Sequence, residues 1–214
     1  MFPRDANRNW DILTLVSTIK KRLSPEESRS LALEAARVIL IESGPHGVTL
    51  KAVGARVDRT HANLLHHFGS AAGLQAALAA YLAETVCTTI REKLADTATG
   101  QRNTREIVDL AFDAFDEGGA GALAAWMLNS GDEHALDPVI ASIRKLIDSL
   151  SPNPDEARLL QEDTLALMLM ALGDSQMGGQ MSTALGLPRN TARLLATELL
   201  TNRIANFMAQ QEKK

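Results

Sequence analysis

Helix start signals near the N-terminus restrict this part of the chain to three short helices. Ser24 and Glu27 form a capping box around Pro25, a residue favoured at the first helical position. Thr49 and Thr60 can each cap a further helix, because a threonine hydroxyl accepts from the free amides of a helix start. The second and third predicted helices are separated by only about three residues, which is helix-turn-helix spacing.

The third predicted helix carries the sequence THANLLHHF at residues 60–68. At about 100° per residue, Leu64 and Phe68 share one face, which is predicted to be buried. The opposite face is predicted to display Ala62, Asn63, Leu65 and His66. Such a face suits the major groove of DNA, since an asparagine amide can pair with an adenine edge and small apolar groups can meet a thymine methyl. A solvated face without function is the alternative interpretation.

The histidines of this stretch are not spaced for a metal site. His66 and His67 are adjacent, so on a helix their side chains diverge by about 100°. A metal-binding pair on a helix needs a spacing of about three or four residues, and His61 meets only Leu64 and Leu65 there. Because no cysteine or carboxylate lies nearby to complete a ligand set, we expect neither a metal nor another cofactor.

Composition favours helices throughout the chain. Aromatic residues make up only 4% and apolar residues 45%, with alanine and leucine abundant, so a packed helical core is expected. Cys87 is the single cysteine, which excludes a disulfide within the chain. The sequence contains neither an apolar run of membrane-spanning length nor a signal-peptide pattern. We therefore predict an all-α, cytoplasmic protein without a membrane partner.

The net charge of −4 is unevenly distributed along the sequence. Residues 1–68 contain ten Lys/Arg and seven Asp/Glu, whereas residues 69–214 contain twelve and nineteen. A mildly basic end joined to an acidic body favours an anionic partner at the N-terminal end. Ordinary scatter is the alternative, because an excess of three charges is small.

Turn signals divide the chain into three predicted regions. Residues 1–23 form an extension with a short amphipathic helix that ends in a basic cluster at residues 20–22. Residues 24–70 form a three-helix domain of the helix-turn-helix type. Residues 71–214 form a larger helical domain, which begins with a long helix over about residues 71–96 and contains about six helices.

The segment from Leu31 to Leu78 resembles the N-terminal DNA-binding domain of TetR-family transcriptional regulators. The residues that match the family pattern are Ala35, Ala36, Gly44, Val48, Thr49, Leu50, Val53, Leu64, His67, Phe68, Ser70 and Leu74. The resemblance implies a DNA-binding transcriptional regulator, a repressor, that binds a palindromic operator in double-stranded DNA as a homodimer. It also implies a helical ligand-binding domain that dimerises through its last two helices and responds to a small-molecule effector.

The resemblance also implies roles for particular side chains. The implied DNA contacts are Thr49, Lys51, Arg59, Thr60, His61, Ala62, Asn63, Leu65, His66 and His67. The two threonines and His67 would contact phosphates, whereas the small and amide side chains of the third helix would face bases. Phe68 would pack in the core of the small domain.

Four positions depart from the family pattern. Asp58 and Arg59 stand where the family has a Gly-Val turn, and aspartate can adopt the left-handed backbone that glycine would supply. Leu65 replaces a tyrosine and Ala71 replaces a lysine, both of which usually touch phosphates in the family. The basic residues expected to replace that charge are Lys51, Arg56, Arg59 and the cluster at residues 20–22.

Large apolar side chains in the middle of the chain are candidates for a ligand cavity. They are Phe112, Phe115, Trp126, Met127, Met168 and Met170. Methionine suits an adaptable pocket and no buried charge pattern identifies a ligand, so we expect an apolar or amphipathic effector. Ordinary core packing is the alternative for each of these residues.

Two segments near the C-terminus, residues 165–181 and 191–208, are predicted to form a dimer interface. The first is the most apolar helix candidate of the chain, and the second is amphipathic. Two such helices from each chain would form a four-helix interface across a two-fold axis. The alternative is that they close the core of a single chain.

Two other classes of function compete with a DNA-binding regulator. An enzyme is not favoured, since the sequence lacks paired helical histidines, a Gly-x-Ser-x-Gly elbow, a phosphate loop and a dinucleotide fingerprint. The sequence GDSQ at residues 173–176 lies inside an apolar helical run rather than after a strand. A helical dimeric interaction protein that has lost DNA binding is the remaining alternative.

Overall fold

The fold is taken from a computed structural model, which describes residues 24–95, 104–150 and 153–212. These residues form α-helices joined by turns and contain no strand. The helices are α1 (Pro25–Ser43), α2 (Leu50–Arg56), α3 (His61–Phe68), α4 (Ala71–Ala95), α5 (Thr104–Phe115), α6 (Ala120–Leu128), α7 (Asp137–Leu150), α8 (Pro154–Gly173), α9 (Gly179–Leu185) and α10 (Thr191–Gln211). A 3-10 turn, Pro45–Gly47, follows α1, and a π-helical segment, Asp174–Gly178, joins α8 to α9. The prediction of an all-α fold is confirmed.

Side-chain caps start the first three helices at the predicted positions. The Ser24 hydroxyl accepts from the amide of Glu27 at 3.1 Å, and the Glu27 carboxylate accepts from the amide of Ser24 at 2.7 Å. The hydroxyls of Thr49 and Thr60 accept from amides three residues further along, at 3.1 and 3.2 Å. The capping box and both threonine caps are therefore confirmed.

One apolar core spans the N-terminal helices and part of the body. Its most deeply buried members between α1 and α4 are Ala32, Ala36, Val48, Val53, Leu64, Leu74 and Leu78. Leu123 and Met127 of α6 belong to the same core. The predicted domain boundary at residue 70 thus crosses a continuous core, and α4 and α6 supply part of the apolar contacts that stabilise α1–α3.

A second apolar core holds α5, α8 and α10 together. Its buried residues are Val108, Ala111, Phe112, Leu167, Ala171, Ala196 and Leu200. These three helices are distant in sequence, so this core depends on long-range contacts. Helix α4, whose first half belongs to the N-terminal core, packs along α7.

The long helix predicted after the third short helix is α4. It spans Ala71–Ala95, close to the predicted bounds, and its first half packs in the N-terminal core. Within the described part of the chain, no helix combines the length and the apolarity that a membrane span requires. Residues 1–23, with the predicted amphipathic helix and the basic cluster, lie outside the described residues.

The first C-terminal segment differs in extent from the prediction. Residues 165–181 are not a separate helix, because α8 already begins at Pro154, where the Asn153 side chain accepts from the Glu156 amide at 2.9 Å. The first turns of α8 are rich in charged residues and so fall outside the apolar run. The run also continues through the π-helical segment into α9, whereas α10 begins at the predicted residue, Thr191.

Candidate DNA-binding interface and ligand cavity

A tight turn at Asp58 sets the angle between α2 and α3. Asp58 has a φ of 53°, so its backbone is left-handed, as predicted. The Arg59 amide donates to the Gly54 carbonyl at 2.9 Å and closes the turn. A Cβ at Gly54 would lie 2.8 Å from the Arg59 carbonyl oxygen, so this close approach requires glycine.

Helix α3 is held on the core by its predicted apolar face. Leu64 and Phe68 are only 1% and 8% exposed. The guanidinium carbon of Arg29 lies 4.7 Å from the centre of the Phe68 ring, and the same side chain donates to the His67 carbonyl at 3.1 Å. A cation–π contact and a hydrogen bond therefore tie the end of α3 to α1. Sequence reasoning missed Arg29, since nothing in its local pattern indicates this distant contact.

Most residues predicted to contact DNA lie on the surface around α3. The exposed ones are Thr49, Lys51, Thr60, His61, Ala62, Leu65 and His66. Arg59 and His67 are half-buried. Because the first amides of α3 point out of its N-terminal end, this end of the helix attracts anions. The DNA contacts proposed for these residues stay predictions.

Asn63 is less exposed than the other residues predicted for the outer face of α3. The residue is half-buried, and its side-chain oxygen is buried without a hydrogen-bond partner among the described residues. Helix α3 contacts both α2 and α4, and its fully buried residues are the two expected from the sequence, Leu64 and Phe68. The predicted contact of Asn63 with bases stays a prediction, for a side chain that is less open than that of Ala62.

The basic side chains near α3 are not equally available to DNA. Arg56 forms a two-point ion pair with Glu42, at 2.5 and 2.9 Å, and its hydrogen bonds hold the pKa of Glu42 below the ordinary value. Lys51 is exposed and forms no ion pair with any described residue. Of the basic residues expected to replace the missing phosphate contacts, Lys51 is available and Arg56 is already engaged.

The body contains an apolar cavity of about 320 Å³ that is walled by α4–α8. Phe115 and Met168, two of the six residues predicted to line a cavity, lie in its wall. The other lining side chains are apolar, with Cys87 and Thr164 as the polar exceptions. The volume is at the lower end of the range of ~300–1,000 Å³ that is usual for small-molecule sites.

Four of the predicted cavity residues lie elsewhere. Phe112 and Met170 pack in or against the second core, and Met127 packs in the N-terminal core. Trp126 is 40% exposed, and its ring centre lies 4.5 Å from that of His46. The prediction selected large side chains by type, whereas α6 lines the cavity with Ala120, Leu123 and Ala124 and not with its tryptophan or methionine.

Apolar side chains are concentrated on the surface of the C-terminal helices. Those at least 41% exposed between α8 and α10 are Leu165, Leu169, Met177, Met181, Leu185, Leu187, Leu194, Leu195, Leu199 and Met208. Concentrations of exposed apolar groups on a protein surface mark sites of interaction. This surface is the candidate dimer face.

Three short helices, the last two with helix-turn-helix spacing, are joined to a larger helical body. No family model matches the chain, and a comparison with curated proteins finds no match. A TetR-family transcriptional regulator from Pectobacterium atrosepticum has a similar structure, with a TM-score of 0.57 at 20% identity over 85% of this chain and 94% of that one. The multidrug binding protein EbrR, in complex with imidazole, gives a TM-score of 0.55 at 17% identity over 83% and 94%. The chain therefore has the fold of TetR-family transcriptional regulators, as the sequence resemblance implied.

Proposed function

We propose that the protein is a DNA-binding transcriptional regulator that reads the major groove with α3. The observation that carries the proposal is the two-sided geometry of α3, in which Leu64 and Phe68 are buried and the outer face is open. An α-helix fits the major groove, and base edges are read by the side chains that it presents there. The N-terminal end of α3 and the side chain of Lys51 would bind phosphates.

The test is binding of the purified protein to DNA fragments from the region around its own gene, measured by fluorescence anisotropy. Ala62→Leu and His66→Ala should change the preference among fragments without lowering the melting temperature, because both residues are exposed. A lost base contact costs ~1–3 kcal/mol at one base pair. Equal losses on specific and random DNA would rule out α3 as the base reader.

A homodimer formed through α8–α10 would present two copies of α3 to a palindromic operator. Exposed leucine and methionine side chains on these helices supply the apolar area that such an interface needs. The two half-sites would lie ~34–36 Å apart, or a multiple of this distance. Leu195→Glu should give a folded monomer in sedimentation, whereas Leu31→Glu, at a similarly exposed leucine of α1, should leave the dimer intact.

A small-molecule effector in the apolar cavity would act on DNA binding through α4. Leu74 and Leu78 of α4 pack in the N-terminal core, and Leu82 lies in the cavity wall. A ligand that shifts α4 would therefore move α3 and change the distance between the two reading helices of the dimer. Release from the operator, and hence relief of repression, is the proposed outcome.

Helix α6 offers a second connection between cavity and reader. Leu123 belongs both to the cavity wall and to the N-terminal core. Gly119, just before α6, packs so closely on α1 that a Cβ there would lie 3.1 Å from the Leu40 side chain. At the other end of α6, Trp126 contacts His46. Displacement of α6 by a ligand would thus change its contacts with the N-terminal region at both ends of the helix.

A helical dimeric interaction protein without DNA binding is the second candidate. The observation in its favour is that Leu65 and Ala71 stand where the family has phosphate-binding side chains. A dimer that retains no DNA fragment even at low salt would support this candidate and remove the regulator. We do not propose an enzyme, since the similar structures above are described as a regulator and a binding protein.

A further inference from the structure

A second, more polar space opens directly beside the apolar cavity. It has a volume of about 380 Å³ and is formed by α4, α5, α7, α8 and α10. The residues that line both spaces are Leu94, Ile107, Leu150, Leu160, Thr164 and Leu167. Because so much of the wall is shared, the two spaces are neighbouring parts of one site.

The described residues that line the apolar cavity offer no charge to a ligand. Apart from Cys87 and Thr164, its lining side chains are apolar. Burial raises the pKa of the Cys87 thiol, so the thiol stays protonated and neutral near pH 7. A charged group placed in this space would lose its hydration without compensation. The part of a ligand that enters the cavity must therefore be neutral and apolar.

The adjoining space contributes a cation, the side chain of Arg91. Arg91 is half-buried on α4 and forms no ion pair with any described residue. Asp163 lines the same space, but its carboxylate accepts from the guanidinium of Arg203. Arg203 also donates to Glu162, and Glu162 accepts from Arg158, so this cluster balances two cations against two carboxylates. Among the described residues that line this space, Arg91 is therefore the charged side chain without an ion pair.

We propose that the double site binds an aliphatic carboxylate, with its apolar tail in the cavity and its carboxylate at Arg91. The inference rests on the proposed function, because it identifies the chemical class of the effector for the same cavity. A guanidinium fork pairs with a carboxylate through two parallel hydrogen bonds. Leu94 lies one helical turn beyond Arg91 and lines both spaces, so an alkyl chain can run from the charged end into the cavity.

Three ten-carbon probes that differ only in the head group test the assignment. Decanoate, decan-1-ol and decylammonium are titrated into the full-length protein at pH 7.5 in a calorimeter. Decanoate should bind at least about tenfold more tightly than decan-1-ol, the effect of one charge-assisted hydrogen bond, and decylammonium should bind most weakly. Decylammonium binding as tightly as decanoate, or no binding of any probe, would overturn the proposal.

The matched variants are Arg91→Gln and Arg144→Gln, which remove one arginine each from the site and from the exposed surface of α7. Arg91→Gln should weaken decanoate about tenfold to a hundredfold and leave decan-1-ol unchanged. Arg144→Gln should leave both affinities unchanged. An equal loss for decanoate and decan-1-ol in Arg91→Gln would show that Arg91 only supports the wall, which would overturn the head-group assignment.

The length of the tail gives an independent readout of the apolar half of the site. Affinity should rise about fourfold per methylene from octanoate to decanoate, as the alkyl chain leaves water. Tails that bind without dependence on length would contradict occupation of the cavity. If these expectations hold but the protein binds no DNA, the proposal of an aliphatic carboxylate ligand is supported and the proposal of a DNA-binding regulator is wrong. If the protein binds DNA but binds decanoate and decan-1-ol equally, the proposal of a regulator is supported and the proposal of a carboxylate ligand is wrong.

Discussion

The N-terminal helices α1–α3 and the C-terminal helix α10 are attached to the molecule by different kinds of contact. Helices α1–α3 are attached by a continuous apolar core, in which Leu64 is 1% exposed. Helix α10 has a smaller share of buried residues and adds ion pairs. Arg193 binds Asp113 at 2.5 Å and Asp109 at 3.5 Å on α5, and Arg203 binds Asp163 on α8.

This difference follows from the kind of side chain that each region exposes on the surface. The outer face of α3 carries polar or small side chains, so the large apolar side chains of the N-terminal helices can point inward. Much of the apolar surface of α8–α10 points outward, as in Leu169 and Leu195. Since those side chains are not available to the core of the chain, polar contacts supply part of the attachment of α10. A region that keeps apolar area for a partner thus needs other means of intramolecular attachment.

Removal of a core side chain from α3 should give the largest effect. Phe68→Ala should lower the free energy of unfolding by ~3–5 kcal/mol, because it leaves a cavity and removes the partner of the Arg29 guanidinium. Urea unfolding followed by circular dichroism measures this loss. Leu65→Ala, three residues earlier on the exposed side of α3, is the control and should change stability little. A similar loss in both variants would contradict the assigned faces of the helix.

Removal of an arginine from the C-terminal ion pairs should give the next largest effect. Arg189 donates to Asp174 at 2.6 and 2.7 Å, and the Asp174 side chain is only 3% exposed. Arg189→Met should cost about 2–3 kcal/mol, less than for a fully buried pair because Arg189 itself is 47% exposed. Adding Asp174→Leu should recover part of the loss, since the stranded carboxylate is then removed.

The control for this ion pair is Arg158→Met, which breaks an exposed pair with Glu162 on α8. Arg158 is 82% exposed, so its loss should change urea unfolding little. Equal stability of the Arg189 and Arg158 variants would mean that the Arg189–Asp174 pair adds nothing to the attachment of the C-terminal helices. The contrast between the two regions would then depend on the Arg193 and Arg203 pairs alone.

A hydrogen bond between α1 and α4 should have a smaller, pH-dependent effect. The Tyr81 hydroxyl donates to Glu34, which lowers the pKa of the Glu34 carboxyl and raises the pKa of Tyr81. A lowered carboxyl pKa stabilises the fold above the unfolded value of ~4.3, and this stabilisation is lost as the pH falls through the folded pKa. A raised tyrosine pKa stabilises below ~10 and is lost as the pH rises through its folded value.

Tyr81→Phe should therefore lower stability between about pH 5 and 9 and have less effect outside this window. We expect a loss of about 0.5–1 kcal/mol near pH 7, discounted because the Glu34 side chain is 46% exposed. Thermal unfolding of both proteins across this pH range gives the difference directly. A difference that is independent of pH would mean that Tyr81 contributes only by its ring packing.

Local signals predicted the N-terminal region well. Caps at Ser24, Thr49 and Thr60, the left-handed residue Asp58 and the buried pair on α3 all depend on residues close in sequence, so their chemistry can be read from a few neighbours. Two details could not be predicted, for the opposite reason. The burial of Asn63 depends on helices that pack around α3, and the pairing of Arg56 depends on Glu42 in another helix.

The body was less predictable because its contacts join distant segments. Residue type alone placed Trp126 and Met127 in a cavity, although the face of α6 that meets the cavity is made of smaller residues. The sequence did not indicate a role for Arg91 or Asp163, since neither residue belongs to a recognisable motif. Arg203 pairs with Asp163, whereas Arg91 has no ion pair among the described residues. This distinction depends on how α4, α8 and α10 pack together.

The smallest expected effect concerns salt dependence at the DNA interface, where Lys51 and Arg56 form a matched pair on α2. Lys51→Gln should flatten the log–log salt dependence of DNA binding by about 0.9, the change for one lost phosphate contact, with little change in stability or sequence preference. Arg56→Gln should leave the slope nearly unchanged, because Glu42 already binds the Arg56 guanidinium at 2.5 and 2.9 Å. Fluorescence anisotropy from 50 to 200 mM salt measures both slopes. If Arg56→Gln flattens the slope as much as Lys51→Gln, DNA displaces Glu42, and the ion pair does not decide which cation on α2 contacts the phosphates.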